Sequence, residues 1–161
     1  MGGNTENIVK RANKRMELLR RISTFGASWN ELKNIYILYI RSLLEQSCTV
    51  WNSGLTEEDK QDLERVQKSA LKNILQENYD TYENALKILD LESLSERREY
   101  LCLQFAKKCL THPKMKNLFQ LNKKSHPMMT RFQEMYEVDH ANTKRLQDSP
   151  IIYMQRLLNG V

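Results

Sequence analysis

An all-α fold is what the sequence predicts: a helical bundle of about five helices over residues 1–119, then an extended C-terminal arm and a short terminal helix over residues 120–161. Three observations predict it. Five Gly and three Pro among 161 residues leave little material for a turn-rich β architecture, while the helix formers Leu, Lys, Glu and Gln abound. Apolar residues recur at helical spacing through most of residues 6–112. Helix-start signals stand where those faces begin: Ser28 with Glu31, Thr56 before three acids, Ser93 with Glu96, and Ser149 before Pro150.

Residues 6–24 read as a first amphipathic helix. Ile8, Ala12, Met16 and Leu19 form its apolar stripe, with Val9 beside them; Lys10, Lys14 and Arg21 line another face, flanked by Arg11 and Arg15. Gly26 is placed to end it. The second helix, Ser28 to Trp51, is expected to be buried on several sides. At roughly 100° per residue Leu32, Ile35, Tyr36, Tyr39, Ile40, Leu43, Leu44, Val50 and Trp51 cover about half its circumference. Only Asn34, Arg41, Ser42 and Glu45 form a polar strip, with Arg41 and Glu45 spaced as an i,i+4 ion pair.

Asn52-Ser53-Gly54 is a stop signal, and a third helix runs from Thr56 to about Leu75 on Leu63, Val66, Ala70, Leu71 and Ile74. Its first-turn acids Glu57, Glu58 and Asp59 suit the positive end of the helix dipole. Tyr82, Ala85, Leu86 and Leu89 mark a fourth, short helix. A fifth follows the Ser93 capping box, with Leu94, Leu101, Cys102, Phe105, Ala106 and Cys109 as its stripe and His112-Pro113 as its end. Beyond Lys114 the period weakens. Met115–Phe119 has the length of one helical turn, and Met135–Val138 reads as a short strand provided it meets an edge. Ser149-Pro150 then opens a last helix carrying Ile151, Ile152, Met154, Leu157 and Leu158.

Composition narrows function. The net charge of +5 is unevenly spread: residues 1–27 hold six Lys/Arg against two Glu, residues 56–80 four against seven acids, and residues 113–161 eight against four. Basic ends around a neutral middle suit a polyanion such as RNA or DNA, although charged helix faces are also simply solvated. No apolar run approaches the about 18 residues of a membrane span, and the N-terminus lacks the apolar centre of a signal peptide, so an intracellular protein without membrane contact is expected. The cysteines Cys48, Cys102 and Cys109 are odd in number and not closely paired, which favours reduced core thiols. Two metal readings are weighed and set aside. Asp59 and Asp62 share a helix face but lack a third ligand, and Cys102, Cys109 and His112 lack the tight Cys-x-x-Cys knuckle of a zinc site. No phosphate-binding glycine loop or nucleophile–base pair is evident, so no cofactor is expected.

Several ordered blocks carry a resemblance. Tyr39-Ile40-Arg41-Ser42-Leu43-Leu44-Glu45-Gln46-Ser47-Cys48 followed by Trp51, Leu63 to Ala70, Tyr82 to Leu86, Arg97-Arg98, Leu101 to Cys109, Ala141-Asn142-Thr143 and Ser149-Pro150-Ile151 resemble the region after the polymerase core in non-LTR (LINE-like) retrotransposon reverse transcriptases. Lys10 to Ile22 with Phe25-Gly26 is similar to the segment that leaves the palm of those enzymes. The resemblance implies a thumb-like helical bundle with a C-terminal extension, a part that holds template and primer strands. It also implies a non-catalytic chain, because the palm's Tyr/Phe-x-Asp-Asp turn, whose carboxylates bind two metals, has no counterpart here. Met1 falls where the thumb would begin, as an internal start in a truncated or domesticated copy would place it.

Two functions of different class follow as expectations. One is sequence-independent binding of RNA or an RNA–DNA duplex through Lys10, Arg11, Lys14, Arg15, Arg21, Lys123, Lys124, Lys144 and Arg145. The other is a protein-interaction module, or an orphan fragment without a selected role, that self-associates or meets a partner through the surface left by an absent palm.

Overall fold

The structure is a computed structural model that describes residues 2–121 and 135–160. It is an all-α helical bundle with a short C-terminal helix; among the described residues the sole β feature is an isolated antiparallel bridge between Leu121 and Tyr136. In chain order come α1 (Gly2–Thr24), α2 (Trp29–Ile35), a π-helical segment (Tyr36–Arg41), α3 (Ser42–Glu45), α4 (Cys48–Trp51), α5 (Glu57–Leu75), α6 (Tyr82–Leu89), α7 (Leu94–Thr111), α8 (Lys144–Gln147) and α9 (Pro150–Asn159). The chain forms two compact units, Met1–Cys48 with Leu55–Arg98, and Thr49–Gly54 with Glu99–Val161. The division falls inside α7, after Arg98.

In the first unit α1 lies along α5 and also meets α2, the π segment and α3. Its stripe Ile8, Ala12, Met16 and Leu19 is buried, as are Leu63, Val66, Ala70, Leu71 and Ile74 of α5. The caps are those the sequence announces. Ser28 and Glu31 form a complete capping box, as do Thr56 and Asp59, and at Ser93 the Glu96 carboxylate accepts from both the backbone N–H and the hydroxyl. Each satisfies amide groups that the first helical turn leaves without an internal acceptor.

The expected single helix from Ser28 to Trp51 is interrupted twice. Its middle is π-helical, and the chain breaks at Gln46–Ser47, where Ser47 takes a φ of 55°. A π turn holds more residues than an α turn, so each residue advances by less than 100° and the outward set changes. Tyr36 and Ile40 stay buried, but Tyr39 is 42% and Leu38 76% exposed. Val50, beyond the break, is also exposed, and Trp51 and Ile35 are half-buried. The π segment's carbonyls draw donors from side chains: the Ser42 hydroxyl donates to the Leu38 carbonyl at 2.7 Å, and an Arg15 guanidinium N–H donates to that of Tyr39.

Polar contacts pin this unit's elements together. Gln67, fully buried on α5, accepts from the Tyr36 hydroxyl and donates to the Tyr82 hydroxyl at 3.0 Å and the Glu92 carbonyl at 2.8 Å. Tyr82 donates in turn to Glu64, whose carboxylate also accepts from the Leu94 amide at 3.1 Å. Burial pushes the Tyr36 and Tyr82 hydroxyls well above the usual phenol range, the Glu64 carboxylate adding to the shift at Tyr82, so both remain protonated donors. Glu45 holds Arg41 at 3.5 Å, the anticipated i,i+4 pair, and also Arg97 at 3.1 Å.

The second unit has its own core. Ala106 and Cys109 of α7 pack with Phe119 and Met154, with Leu110, Tyr136 and Leu158 against them. The terminal helix therefore docks back onto its own chain. Two amides spaced i,i+4 on α9 hold an extended stretch: Asn159 exchanges hydrogen bonds with both backbone groups of Tyr136, each 2.9 Å, and Gln155 accepts from the Asp139 amide while donating to Asp139 and to the Leu118 carbonyl. On the other side the Glu137 amide donates to the Gln120 carbonyl at 2.9 Å. The Met135–Val138 segment thus finds the edge its sequence asks for, as one bridge and not a ladder. Cys48, Cys102 and Cys109 are buried and form no disulfide. The α7 stripe departs from expectation at three places, Arg98 being buried, Leu101 half-buried and Phe105 36% exposed, because i,i+4 steps from Leu94 through Arg98, Cys102 and Ala106 drift around the helix.

Candidate nucleic-acid interface

Because α1 buries one stripe, its opposite side must face water, and that side carries the cations. Taking Ala12 as the middle of the buried stripe, Lys10, Lys14 and Arg21 lie about 160–180° around the helix from it at 100° per residue. Lys10, Arg11, Lys14 and Arg21 are all exposed. Among the described residues none of the four has an acidic side chain within 4.0 Å, whereas Arg20 is bonded to Glu17. The face is not purely positive. An open groove along it is lined by Glu6, Val9, Lys10, Asn13, Lys14 and Glu17, so two carboxylates border the lysines.

Arg15 is deployed differently from its neighbours. It is half-buried, lies 4.5 Å over the Tyr39 ring and donates to the Tyr39 carbonyl, which ties α1 to the π segment. Lys144 and Arg145 are exposed in the first turn of α8, a helix of the second unit. Lys123 and Lys124 lie outside the described residues. Of the nine candidate residues, then, the structure brings four together as unpaired surface cations on one helix and a fifth beside them against Tyr39.

Tyr39 borders this surface through Arg15, although the α-helical periodicity assigns it to the core. The signal that would have placed it outside is the π insertion, which has no marker in the sequence. Phe25, 87% exposed, and Trp29, 42% exposed, add further apolar surface to the first unit. The acidic start of α5 is accounted for by its capping box and by Asp62 pairing with Arg65 at 2.8 Å. Burial raises the Asp59 pKa, but hydrogen bonds from Thr56 outweigh it and hold the carboxyl below its usual value. Among the described residues no group of three or more His, Cys, Asp or Glu is placed to hold a metal ion, and no helix is long and apolar enough to cross a membrane. No protein-family model, curated protein or solved structure matches the chain.

Proposed function

We propose that this chain is a non-catalytic nucleic-acid-binding module, a thumb-like fragment of a retrotransposon reverse transcriptase, that binds without sequence specificity through α1. One observation carries the reading: Lys10, Lys14 and Arg21 on the side of α1 opposite its buried stripe, and Arg11 on the flank, are exposed and, among the described residues, have no acidic side chain within 4.0 Å. Cations already engaged in ion pairs gain little from a phosphate; free ones release counterions when they meet it. Contacts to backbone phosphates carry no sequence information, so no sequence preference accompanies binding made through them. The association of a fluorescent RNA with the full chain, titrated with salt, tests this. Binding that weakens steeply with salt, and that becomes weaker and much less salt-dependent when Lys10, Lys14 and Arg21 are each changed to Gln, supports the proposal; salt-insensitive binding, or none, refutes it.

A second reading, a protein-interaction module, is favoured by the exposure of Phe25 at 87% and Leu38 at 76%, large apolar side chains on the same unit. It predicts concentration-dependent self-association in sedimentation that Phe25→Ser and Leu38→Ser abolish. A chain that stays monomeric at all concentrations and binds no hydrophobic dye speaks against it.

A further inference from the structure

The basic face of α1 has an aromatic neighbour, and that combination selects among nucleic acids. Going round α1 from Lys10, the side chains of Arg21, Lys14, Leu18, Arg11 and Arg15 fall in one sector about 140° wide, at 100° per residue. Leu18, 43% exposed, therefore sits among the cations, and Arg15, at the sector's edge, reaches the Tyr39 ring. The guanidinium lies 4.5 Å over one face of that ring, and Tyr39 as a whole remains 42% exposed. Leu38, beside it, is 76% exposed.

The π-helical segment is what turns Tyr39 outward. A straight α-helix would place it nearer the buried line of Tyr36, Ile40 and Leu43, and π turns are an uncommon device concentrated at functional positions. A duplex offers this surface phosphates but no base faces, because its bases are stacked on one another. A single strand offers both phosphates and unstacked base faces, and proteins that take single strands combine a basic track with aromatic platforms.

We infer that the first unit takes a single-stranded polynucleotide in preference to a duplex, with the backbone on Lys10, Arg11, Lys14 and Arg21 and a base stacked against Tyr39 beside Arg15. This rests on the proposed binding through α1 and adds the form of the ligand. Leu38 and Leu18 supply apolar floor beside the stacked base. Arg15 holds the platform in place through its hydrogen bond to the Tyr39 carbonyl, and that bond survives replacement of the Tyr39 side chain because it is made to the backbone.

The test is fluorescence anisotropy with the full chain at low salt and three labelled probes: oligo-U and oligo-dT of about 12 nucleotides, and an RNA hairpin duplex with a short closing loop. Tyr39→Ala should weaken single-strand binding by at least about fivefold, the low end for loss of one stacked base. Hairpin binding should stay within about twofold, which also shows that the variant is folded. Tyr39→Phe, which keeps the ring, should bind single strands like the parent chain. Tyr39 dependence on either single-stranded probe supports the inference, and the probe that binds better identifies the sugar. Equal losses on single strand and hairpin, no loss on either, or a Tyr39→Phe variant as weak as Tyr39→Ala overturns it. Binding that depends on Lys10, Lys14 and Arg21 but not on Tyr39 overturns the stacking while leaving the phosphate contacts intact; absence of binding to all three probes overturns both.

Discussion

Replacing Lys10, Lys14 and Arg21 together by Gln removes three of the four unpaired cations of the α1 face while leaving its buried stripe untouched. Gln has nearly the helix propensity of Lys and Arg, and as a neutral residue it adds no like-charge i,i+4 repulsion to Glu6, so α1 should persist. If each of the four cations neutralises one phosphate of a single strand, log K falls with log salt with a slope of about −2.8, at roughly −0.7 per contact. Raising salt from about 50 to about 200 mM then weakens the parent chain about 50-fold. With Arg11 alone remaining, the slope drops to about −0.7 and the same change costs about threefold. Anisotropy titrations at four or five salt concentrations give both slopes, and far-UV circular dichroism verifies that the variant is helical. A variant that keeps the parent's slope would refute the assignment, because the released counterions would then come from other side chains. A parent slope shallower than about −1 would refute multi-phosphate contact by this face altogether.

The remaining predictions concern the scaffold. Gln67→Leu removes three hydrogen bonds from a fully buried position and strands the Tyr36 hydroxyl, so urea denaturation of the first unit should show a loss of about 2–4 kcal/mol, with Tyr36→Phe in the same background recovering part of it. Gln155→Ala should speed amide exchange at Asp139, whose N–H it accepts, while the Tyr136 amide, held by Asn159, exchanges more slowly than Asp139 in the same variant. Glu31 has its pKa lowered, first by the Ser28 backbone N–H and then by its hydroxyl; at Glu96 the Ser93 hydroxyl leads and the backbone follows. Because these folded-state values lie below the unfolded ones, the caps contribute stability above the ordinary glutamate range and lose it as pH falls through the depressed values. Carboxylate NMR titration should show both midpoints below that range, and Ser28→Ala and Ser93→Ala should return each toward it. Cys48, Cys102 and Cys109 should react with a thiol reagent only after denaturation, burial also pushing the Cys109 thiol up; fast labelling of the native chain would contradict their burial.

The helical class, the ends of most helices and the stripes of α1 and α5 are legible in the sequence because their causes are local. A 3.6-residue period in Ile8, Ala12, Met16 and Leu19 needs no knowledge of what covers it, and a Ser28–Glu31 or Ser93–Glu96 pair closes within one turn of chain. The same period places Lys10, Lys14 and Arg21 opposite the buried stripe, so most of the candidate interface could be named in advance. What only the tertiary structure decided depends on contacts between distant residues. The π insertion that exposes Tyr39 is accompanied by a donor from Arg15, 24 residues away, and the burial of Gln67 is tolerable only because Tyr36, Tyr82 and Glu92 converge on it. The division after Arg98 follows from Ala106 and Cys109 packing with Phe119 and Met154, a choice that the continuous pattern of α7 cannot announce. Periodicity reveals which side of a helix seeks cover; which partner supplies it, and where the regular turn must yield to let it in, is settled by packing in three dimensions.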